Sequence, residues 1–159
     1  PSQGVVRVDG ADVRELSPDA LHRTTELVHR PESFDGTIYD NVAVGSAEVS
    51  AEDVRVALRA VGLEDAVAAF AEGVHTRLQP GGRPFSSAQA WRLMFARAIA
   101  RRPRLLVVDD ALDGLDDETI AGVLPALLDR AAPWTLLLLT HRADLARRCD
   151  TTFALPSAR

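Results

Sequence analysis

Two continuous apolar runs in the last third of the chain constrain its fold most. The first, RLLVVDD, occupies residues 104–110, and the second, WTLLLLTH, occupies residues 134–141. Short apolar runs without alternation are typical of parallel strands covered on both faces. The stretch near 117–131 has the apolar pattern of a helix, so the order strand, helix, strand predicts a right-handed crossover in an α/β sheet. Pro125 lies inside this helix and predicts a kink or break there.

The first third of the chain shows weaker patterns. Residues 4–16, GVVRVDGADVREL, alternate apolar and polar side chains around Gly10, which predicts a hairpin or a strand with a tight turn. Residues 16–45 show little periodicity. We therefore expect a loop with short elements in that segment.

The middle of the chain is predicted to be helical. Residues 50–61 carry an apolar stripe at helical spacing, closed by a glycine, and a second short helix is expected over 63–72. Residues 76–84 contain two Pro and two Gly, which predicts a loop. A longer helix follows, and Ser86 with Gln89 forms a capping-box pattern at its start. The stripe of the first helix is Val54, Ala57, Leu58 and Val61, and the apolar face of the long helix is Trp91, Met94, Phe95, Ala98 and Ile99.

Composition limits the class of protein. A chain of 159 residues with 47% apolar content fits one domain with a packed core. A net charge of −5 gives no overall attraction to nucleic acid, and no apolar run approaches the roughly 20 residues that span a bilayer. Cys149 is the single cysteine, which excludes a disulfide framework and favours a reducing compartment.

Three side chains at the strand ends are candidates for chemistry. Asp109 and Asp110 end the first apolar run, where Asp is also a common turn residue. The alternative interpretation is a metal ligand beside a catalytic carboxylate. His141 follows the second run, where it could equally be a capping or surface histidine.

Order and spacing favour the chemical interpretation. FSSAQAWRLMFARAIARRPRLLVVDDALDGLD, followed by LLLLTHR, resembles the second half of an ATP-binding cassette (ABC) nucleotide-binding domain. That family has a signature LSGGQ opening a helix, a Walker B strand ending in Asp and Glu, a D-loop SALD and a switch histidine. Upstream, FDGTIYDNV resembles the segment FSGTIRENI of exporter-type members, GVHTRLQPGG resembles the stretch before their signature, and GVVRVDGADVREL resembles the strand pair after their Walker A helix.

The resemblance implies roles for the residues around the Walker B strand. Asp109 would hold a Mg²⁺ ion that bridges the terminal phosphates of ATP. Asp110 would polarise the attacking water, and His141 would contact the γ-phosphate. His29 stands at the position of the Q-loop glutamine. Asp116 ends the segment DGLD, which matches the D-loop that bridges two domains in a dimer.

The resemblance also implies a second binding surface. Ser86, Ser87 and Gln89 occupy signature positions, which bind the γ-phosphate held by a partner domain at a helix N-terminus.

Four departures from the family pattern predict a degenerate nucleotide site. The 159 residues contain no lysine, hence no Walker A loop of the form GxxxxGK[ST]. Asp110 replaces Glu, and His29 replaces Gln. Ser87 and Ala88 replace glycines that allow a phosphate to approach the backbone closely.

The resemblance fixes the remaining expectations. We expect an α/β fold, a partial P-loop NTPase fold of ABC type with a mostly parallel sheet and an inserted helical subdomain. Residues 1–159 would be the C-terminal two-thirds of one domain, with 46–102 as the helical subdomain and 1–45 and 103–159 as the core. Without the Walker A strand, apolar sheet surface should be exposed, and we expect upstream residues or another chain to cover it.

The implied function is that of an ATP-binding segment of an ABC transporter on the cytoplasmic side of the cell membrane, with ATP and Mg²⁺ as cofactors. The implied partners are a second nucleotide-binding domain, identical or different, and a transmembrane domain contacting residues 29–42 through its coupling helices. No heptad run supports the coiled coils of DNA-repair relatives, so no nucleic acid is expected. The alternative is a pseudo-ATPase, an interaction or regulatory module that keeps the fold without hydrolysis.

Overall fold

The computed structural model describes residues 4–8, 10–44, 46 and 48–155. Asp9, within the predicted hairpin, and Gly45, the predicted end of the first core segment, lie outside the described residues. The strands are β1 (Arg7–Val8), β2 (Ala11–Asp12), β3 (Thr25–Val28), β4 (Gly36–Thr37), β5 (Arg77–Leu78), β6 (Leu105–Asp109) and β7 (Thr135–Leu139). The helices are α1 (Pro18–Thr24), α2 (Ile38–Ala43), α3 (Ala51–Ala60), α4 (Glu64–Ala68), α5 (Ser87–Ala100), α6 (Asp117–Leu127) and α7 (Ala143–Ala146), with 3₁₀ turns at Gly73–His75 and Pro80–Gly82.

A three-stranded parallel sheet, in the order β3–β6–β7, forms the centre of the fold. The two apolar runs pair as predicted, with Leu106 opposite Leu136, and α6 connects them. Strand β3 pairs with the other side of β6, with Val28 opposite Val108. The short elements predicted within residues 16–45 are present as α1, β3, β4 and α2, but the sequence pattern did not identify β3 as a strand of the central sheet.

The two faces of this sheet differ in burial. Leu106 and Val108 on one face are fully buried against the helices. The opposite face carries Leu27, Leu137 and Leu139, whose exposed fractions are 59%, 50% and 39%. The prediction that the strands are covered on both faces is wrong for the described residues, whereas the predicted exposure of apolar sheet surface is confirmed.

The helical part packs around α5 as the sequence pattern predicts. Ser50 and Ser86 cap α3 and α5 through capping boxes with Asp53 and Gln89. The predicted stripe of α3 is buried, as are four of the five predicted apolar positions of α5, while Trp91 is half-buried. Together with the buried sheet face, these side chains form one apolar core.

Other local predictions had mixed outcomes. The N-terminal hairpin is confirmed, with Val8 opposite Ala11 and Gly10 at φ 83° in the turn. The helix predicted over 63–72 is shorter, because α4 covers only five residues. The predicted loop 76–84 contains β5, which pairs with β4. Of the kink or break predicted at Pro125, the break is absent: α6 continues through Pro125 and ends two residues later.

Candidate functional site

Three strand ends meet at the carboxyl edge of the parallel sheet. His29 directly follows β3, Asp109 ends β6 and is followed by Asp110, and His141 lies two residues beyond β7. Parallel pairing places these ends side by side, since Val28 aligns with Val108 and Asp109 aligns with Leu139. Four sequence-predicted site residues, separated by up to 112 positions, are therefore brought together at a place where open α/β sheets bind ligands.

His29 and Asp109 form the first pair at this edge. The imidazole Nδ1 lies 3.6 Å from a carboxylate oxygen of Asp109 and 3.4 Å from its backbone oxygen. Both side chains are partly open to solvent, with exposed fractions of 57% and 39%. No group of three His, Cys, Asp or Glu side chains within the described residues is arranged to hold a metal ion. A cation at Asp109 would therefore need further ligands from outside these side chains.

Asp110 and His141 form the second pair. Asp110 has a left-handed backbone with φ 51°, a conformation that Asp tolerates better than most residues. Its backbone N–H donates to the Leu139 oxygen at 3.1 Å, which fixes the turn to the end of β7. The Asp110 carboxylate lies 3.9 Å from Nε2 of His141. The carboxylate is thus aimed toward the histidine and remains open to solvent.

Asp113 positions the backbone that carries His141. Its carboxylate accepts hydrogen bonds from the Thr140 hydroxyl and, at 2.6 Å, from the His141 backbone N–H. The imidazole of His141 itself is 91% exposed, so Asp113 fixes the loop and leaves the ring free. Sequence reasoning missed this role, because the two segments are 27 or more residues apart and no local pattern joins them.

The start of α5 forms a separate locus. The Ser86 hydroxyl accepts from the Gln89 backbone N–H at 3.2 Å, and Gln89 Oε1 accepts from the Ser86 N–H at 2.9 Å. Ser87 is the exposed first residue of the helix. Among the described residues, no hydrogen bond or ion pair joins this helix start to the four side chains at the sheet edge. The predicted signature residues are therefore grouped with one another and not with the Walker B site.

Asp116 caps α6. Its carboxylate accepts hydrogen bonds from the Thr119 backbone N–H at 2.7 Å and from the Thr119 hydroxyl at 3.0 Å. The backbone N–H of Thr119, followed by its hydroxyl, lowers the pKa of Asp116. The structure thus shows a helix-capping role, while contact with a nucleotide stays a prediction.

A groove of about 780 Å³ separates residues 31–34 from residues 81–87 and α5. Arg97 of α5 lines this groove and contacts residues 31–34, which form one of its walls. The guanidinium donates to the backbone oxygens of Asn41 at 2.7 Å and Glu32 at 3.0 Å, and it lies 5.1 Å from the centre of the Phe34 ring. Desolvation lowers the pKa of Arg97.

Asn41 also holds this wall, through its side chain. Its side-chain amide is fully buried, accepts from the Phe34 N–H and donates to the oxygens of Phe34 and Thr37. Arg97 also donates to the Asn41 side-chain oxygen at 3.3 Å. We call these two residues the Asn41–Arg97 lock. Sequence reasoning missed it, because its members are 56 residues apart.

Comparison with known proteins identifies the family. Residues 1–113 match the family described as ABC transporter. The chain belongs to the ABC transporter family. A solved structure of a bacterial Atm1-family ABC exporter with ATP bound matches 90% of this chain and 25% of its own, with a TM-score of 0.79 and 25% sequence identity. The predicted ABC-type α/β fold is thereby confirmed.

Curated relatives match over nearly the whole chain. A multidrug efflux ATP-binding/permease protein of Mycobacterium bovis is 34% identical over 99% of this chain and 13% of its own length. The mycobactin import ATP-binding/permease protein IrtB of Mycolicibacterium thermoresistibile is 32% identical over the whole chain and 28% of its own length. The ABC multidrug transporter MDR2 of Trichophyton interdigitale is 32% identical over the whole chain and 12% of its own length. The chain thus spans between 12% and 28% of these relatives.

The site fits part of the chemistry that the ABC transporter family implies. The Asp109 carboxylate is a hard oxygen ligand of the type that Mg²⁺ prefers. The imidazole of His29 beside it is not a ligand of that type, because nitrogen donors bind transition metals better than they bind Mg²⁺. No helix among the described residues is long and apolar enough to cross a membrane.

Proposed function

We propose that this chain forms part of the ATP-binding domain of an exporter-type ABC transporter, in which ATP binding and attenuated hydrolysis drive transport. The observation that supports this proposal most is the group formed by His29, Asp109, Asp110 and His141 at one edge of the parallel sheet. Residues 46–102 would serve as the helical subdomain, and 1–45 with 103–159 as part of the core. The transport direction would be set by the membrane domain, since relatives are named for both efflux and import.

Each side chain at the sheet edge has a distinct proposed task. Asp109 would hold the divalent cation that neutralises charge on the terminal phosphates when ATP is bound. Asp110 would orient and polarise the attacking water, and His141 would donate a hydrogen bond to the γ-phosphate. Asp113 would keep the His141 backbone in place through the hydrogen bond at 2.6 Å.

The same geometry supports a slow reaction. Asp110 is one methylene shorter than glutamate, and a displacement of about 1 Å in a catalytic group can cost on the order of 10²-fold in rate. At the helix start, Ser87 and Ala88 carry Cβ atoms that limit how closely a phosphate can approach the backbone. The Ser86 hydroxyl already accepts the Gln89 N–H, but its own hydrogen remains available as a donor.

The proposed partners follow from two surfaces. The helix start at Ser86 and the capping residue Asp116 would face a second nucleotide-binding domain, identical or different. The groove would receive a coupling helix of the transmembrane domain, contacting the 29–42 region. Phe34 is 42% exposed beside this groove and the Asn41–Arg97 lock keeps its backbone in place, so the wall presents an apolar ring on a firmly held backbone. This arrangement would place the chain at the cytoplasmic side of the membrane.

The decisive experiment measures ATP hydrolysis by the intact transporter that contains this chain, reconstituted in lipid. Asp110→Glu should raise the turnover number by up to about 10²-fold, since it restores the missing methylene. Asp110→Asn should reduce turnover, because an amide cannot accept a proton from water. Asp129→Glu, the same change in the exposed turn after α6, is the matched control and should leave turnover unchanged.

The outcomes separate the candidate functions. Failure of the intact protein to bind ATP would refute the proposal altogether. ATP binding with no gain in Asp110→Glu would favour the pseudo-ATPase, whose supporting observation is the pair Ser87 and Ala88 at the helix start.

A second experiment tests the groove. Phe34→Ala in the intact transporter should reduce substrate-stimulated ATP hydrolysis while unstimulated hydrolysis persists, because the apolar contact to the membrane domain is lost. Val56→Ala, at a similarly exposed apolar position on α3 outside the groove, is the control. Equal stimulation in both variants would rule out this contact.

A further inference from the structure

The donor atoms beside the sheet edge favour a different cation from Mg²⁺. His29 Nδ1 and the nearer Asp109 carboxylate oxygen lie 3.6 Å apart. Two ligand atoms bound at about 2.1 Å to one cation are roughly 3.0–3.4 Å apart for angles between octahedral and tetrahedral. A shift of a few tenths of an ångström would therefore allow both atoms to bind the same ion.

The imidazole is not committed to another role. Its contact with the Asp109 backbone oxygen is 3.4 Å, longer than a normal N–H···O hydrogen bond. More than half of the side chain is exposed, so packing does not explain its position. The ring is thus available as a ligand at the carboxyl end of β3.

We propose that His29 and Asp109 together bind a divalent first-row transition metal, in preference to Mg²⁺, alongside the phosphates of the bound nucleotide. Imidazole nitrogen binds such ions more strongly than it binds Mg²⁺, which prefers oxygen ligands and keeps its waters. The two side chains offer two donors, so phosphate oxygens and water complete the coordination. The proposal therefore rests on the proposed ATP-binding function.

Mn²⁺ is the probe, because its electron spin reports nitrogen ligands directly. The intact transporter is loaded with Mn²⁺ and a non-hydrolysable ATP analogue. Electron spin-echo envelope modulation then records the coupling of the Mn²⁺ spin to a ¹⁴N nucleus in a bound ligand. We expect nitrogen coupling in the natural protein and its loss in His29→Gln. His141→Gln, which removes the other imidazole at this edge, should retain the coupling.

Competition between the two metals gives an independent measurement. In His29→Gln the dissociation constant of Mn²⁺ should rise at least about tenfold relative to that of Mg²⁺. Tenfold is about the lower end of the loss in metal affinity when even an outer-shell partner of a metal ligand is removed. Binding of the nucleotide with Mg²⁺ is measured on each variant to confirm that its nucleotide site is intact.

The results that overturn the inference are distinct from those that overturn the proposed function. Nucleotide bound with Mn²⁺ but without nitrogen coupling would refute His29 as a metal ligand and would leave the proposed ATP-binding function standing. Coupling that disappears in His141→Gln and persists in His29→Gln would place the nitrogen ligand on the wrong strand. Absence of nucleotide binding with either metal would refute the proposed function and this inference with it.

Discussion

Replacing Arg97 should destabilise the domain far more than replacing an arginine on its surface. The guanidinium donates to two backbone oxygens, those of Asn41 and Glu32, and to the Asn41 side chain. Asn41 lies in the last turn of α2, where carbonyl groups lack partners within the helix. Arg97→Ala therefore leaves a carbonyl of a fully buried residue without this donor.

The expected loss follows from these contacts. Hydrogen bonds from a charged donor contribute about 1.5–3 kcal/mol each, and an unsatisfied buried acceptor costs about 1–3 kcal/mol. The bonds share one guanidinium and are not additive, so we expect Arg97→Ala to lower the free energy of unfolding by about 3 kcal/mol. Arg97→Lys should lose about half as much, because one ammonium cannot reach both carbonyls in the same fork geometry.

Urea denaturation followed by tryptophan fluorescence measures the loss. Arg130→Ala is the control, because Arg130 is 87% exposed and pairs with an equally exposed Asp150. Its effect should stay below about 0.5 kcal/mol. If Arg97→Ala changed the unfolding free energy by no more than this control does, the Asn41–Arg97 lock would not stabilise the wall of the groove.

Three further predictions concern the site loop, a partly buried carboxyl group and the open sheet face. Asp113→Ala should speed amide hydrogen exchange at His141 by about tenfold or more, since it removes the acceptor of that N–H, and unchanged exchange would contradict the positioning role. Burial raises the pKa of Glu26, so the folded state holds this proton more tightly than the unfolded state does, and stability is lost as pH rises from the unfolded pKa through the raised one. The urea midpoint of the natural chain should accordingly fall relative to that of Glu26→Gln as pH rises above about 4, and parallel profiles would contradict this sign. Finally, Leu106→Ala should cost about 2–5 kcal/mol in this chain and Leu137→Ala less than half as much, because only the first side chain is fully buried; equal losses would mean that the outer face is covered.

The open sheet face also has an energetic consequence. Roughly half of each of three leucine side chains remains exposed there, those of Leu27, Leu137 and Leu139. A segment or chain that covered them would gain about 2–4 kcal/mol from apolar burial alone. The three leucines therefore form an apolar surface whose burial by such a segment or chain would stabilise the sheet.

Local patterns were predictable from the sequence because their causes are local. The apolar runs at 104–110 and 134–141 predicted two parallel strands, since their length and lack of alternation leave few other structures. The capping box of Ser86 and Gln89 formed as expected, because its two hydrogen bonds lie within four residues. The motif order also predicted the family, and with it the identity of the candidate site residues.

Non-local features were not predictable in the same way. Strand β3 has only four residues and becomes a strand through its pairing with β6, about 80 positions away. The links from Arg97 to Asn41 and from Asp113 to His141 join segments whose sequences carry no mutual signal. Propensity describes a residue and its neighbours, whereas these contacts depend on how whole elements pack.

The pair Asp109 and Asp110 shows where the division lies. The sequence by itself determined that two carboxylates follow an apolar strand, because an apolar run followed by acidic residues must leave the core at that point. The tertiary structure alone decided what each carboxylate meets: Asp109 faces the imidazole of His29, and Asp110, turned into a left-handed conformation, faces that of His141. The physical reason is the parallel register, which brings the ends of three distant strands to one edge of the sheet.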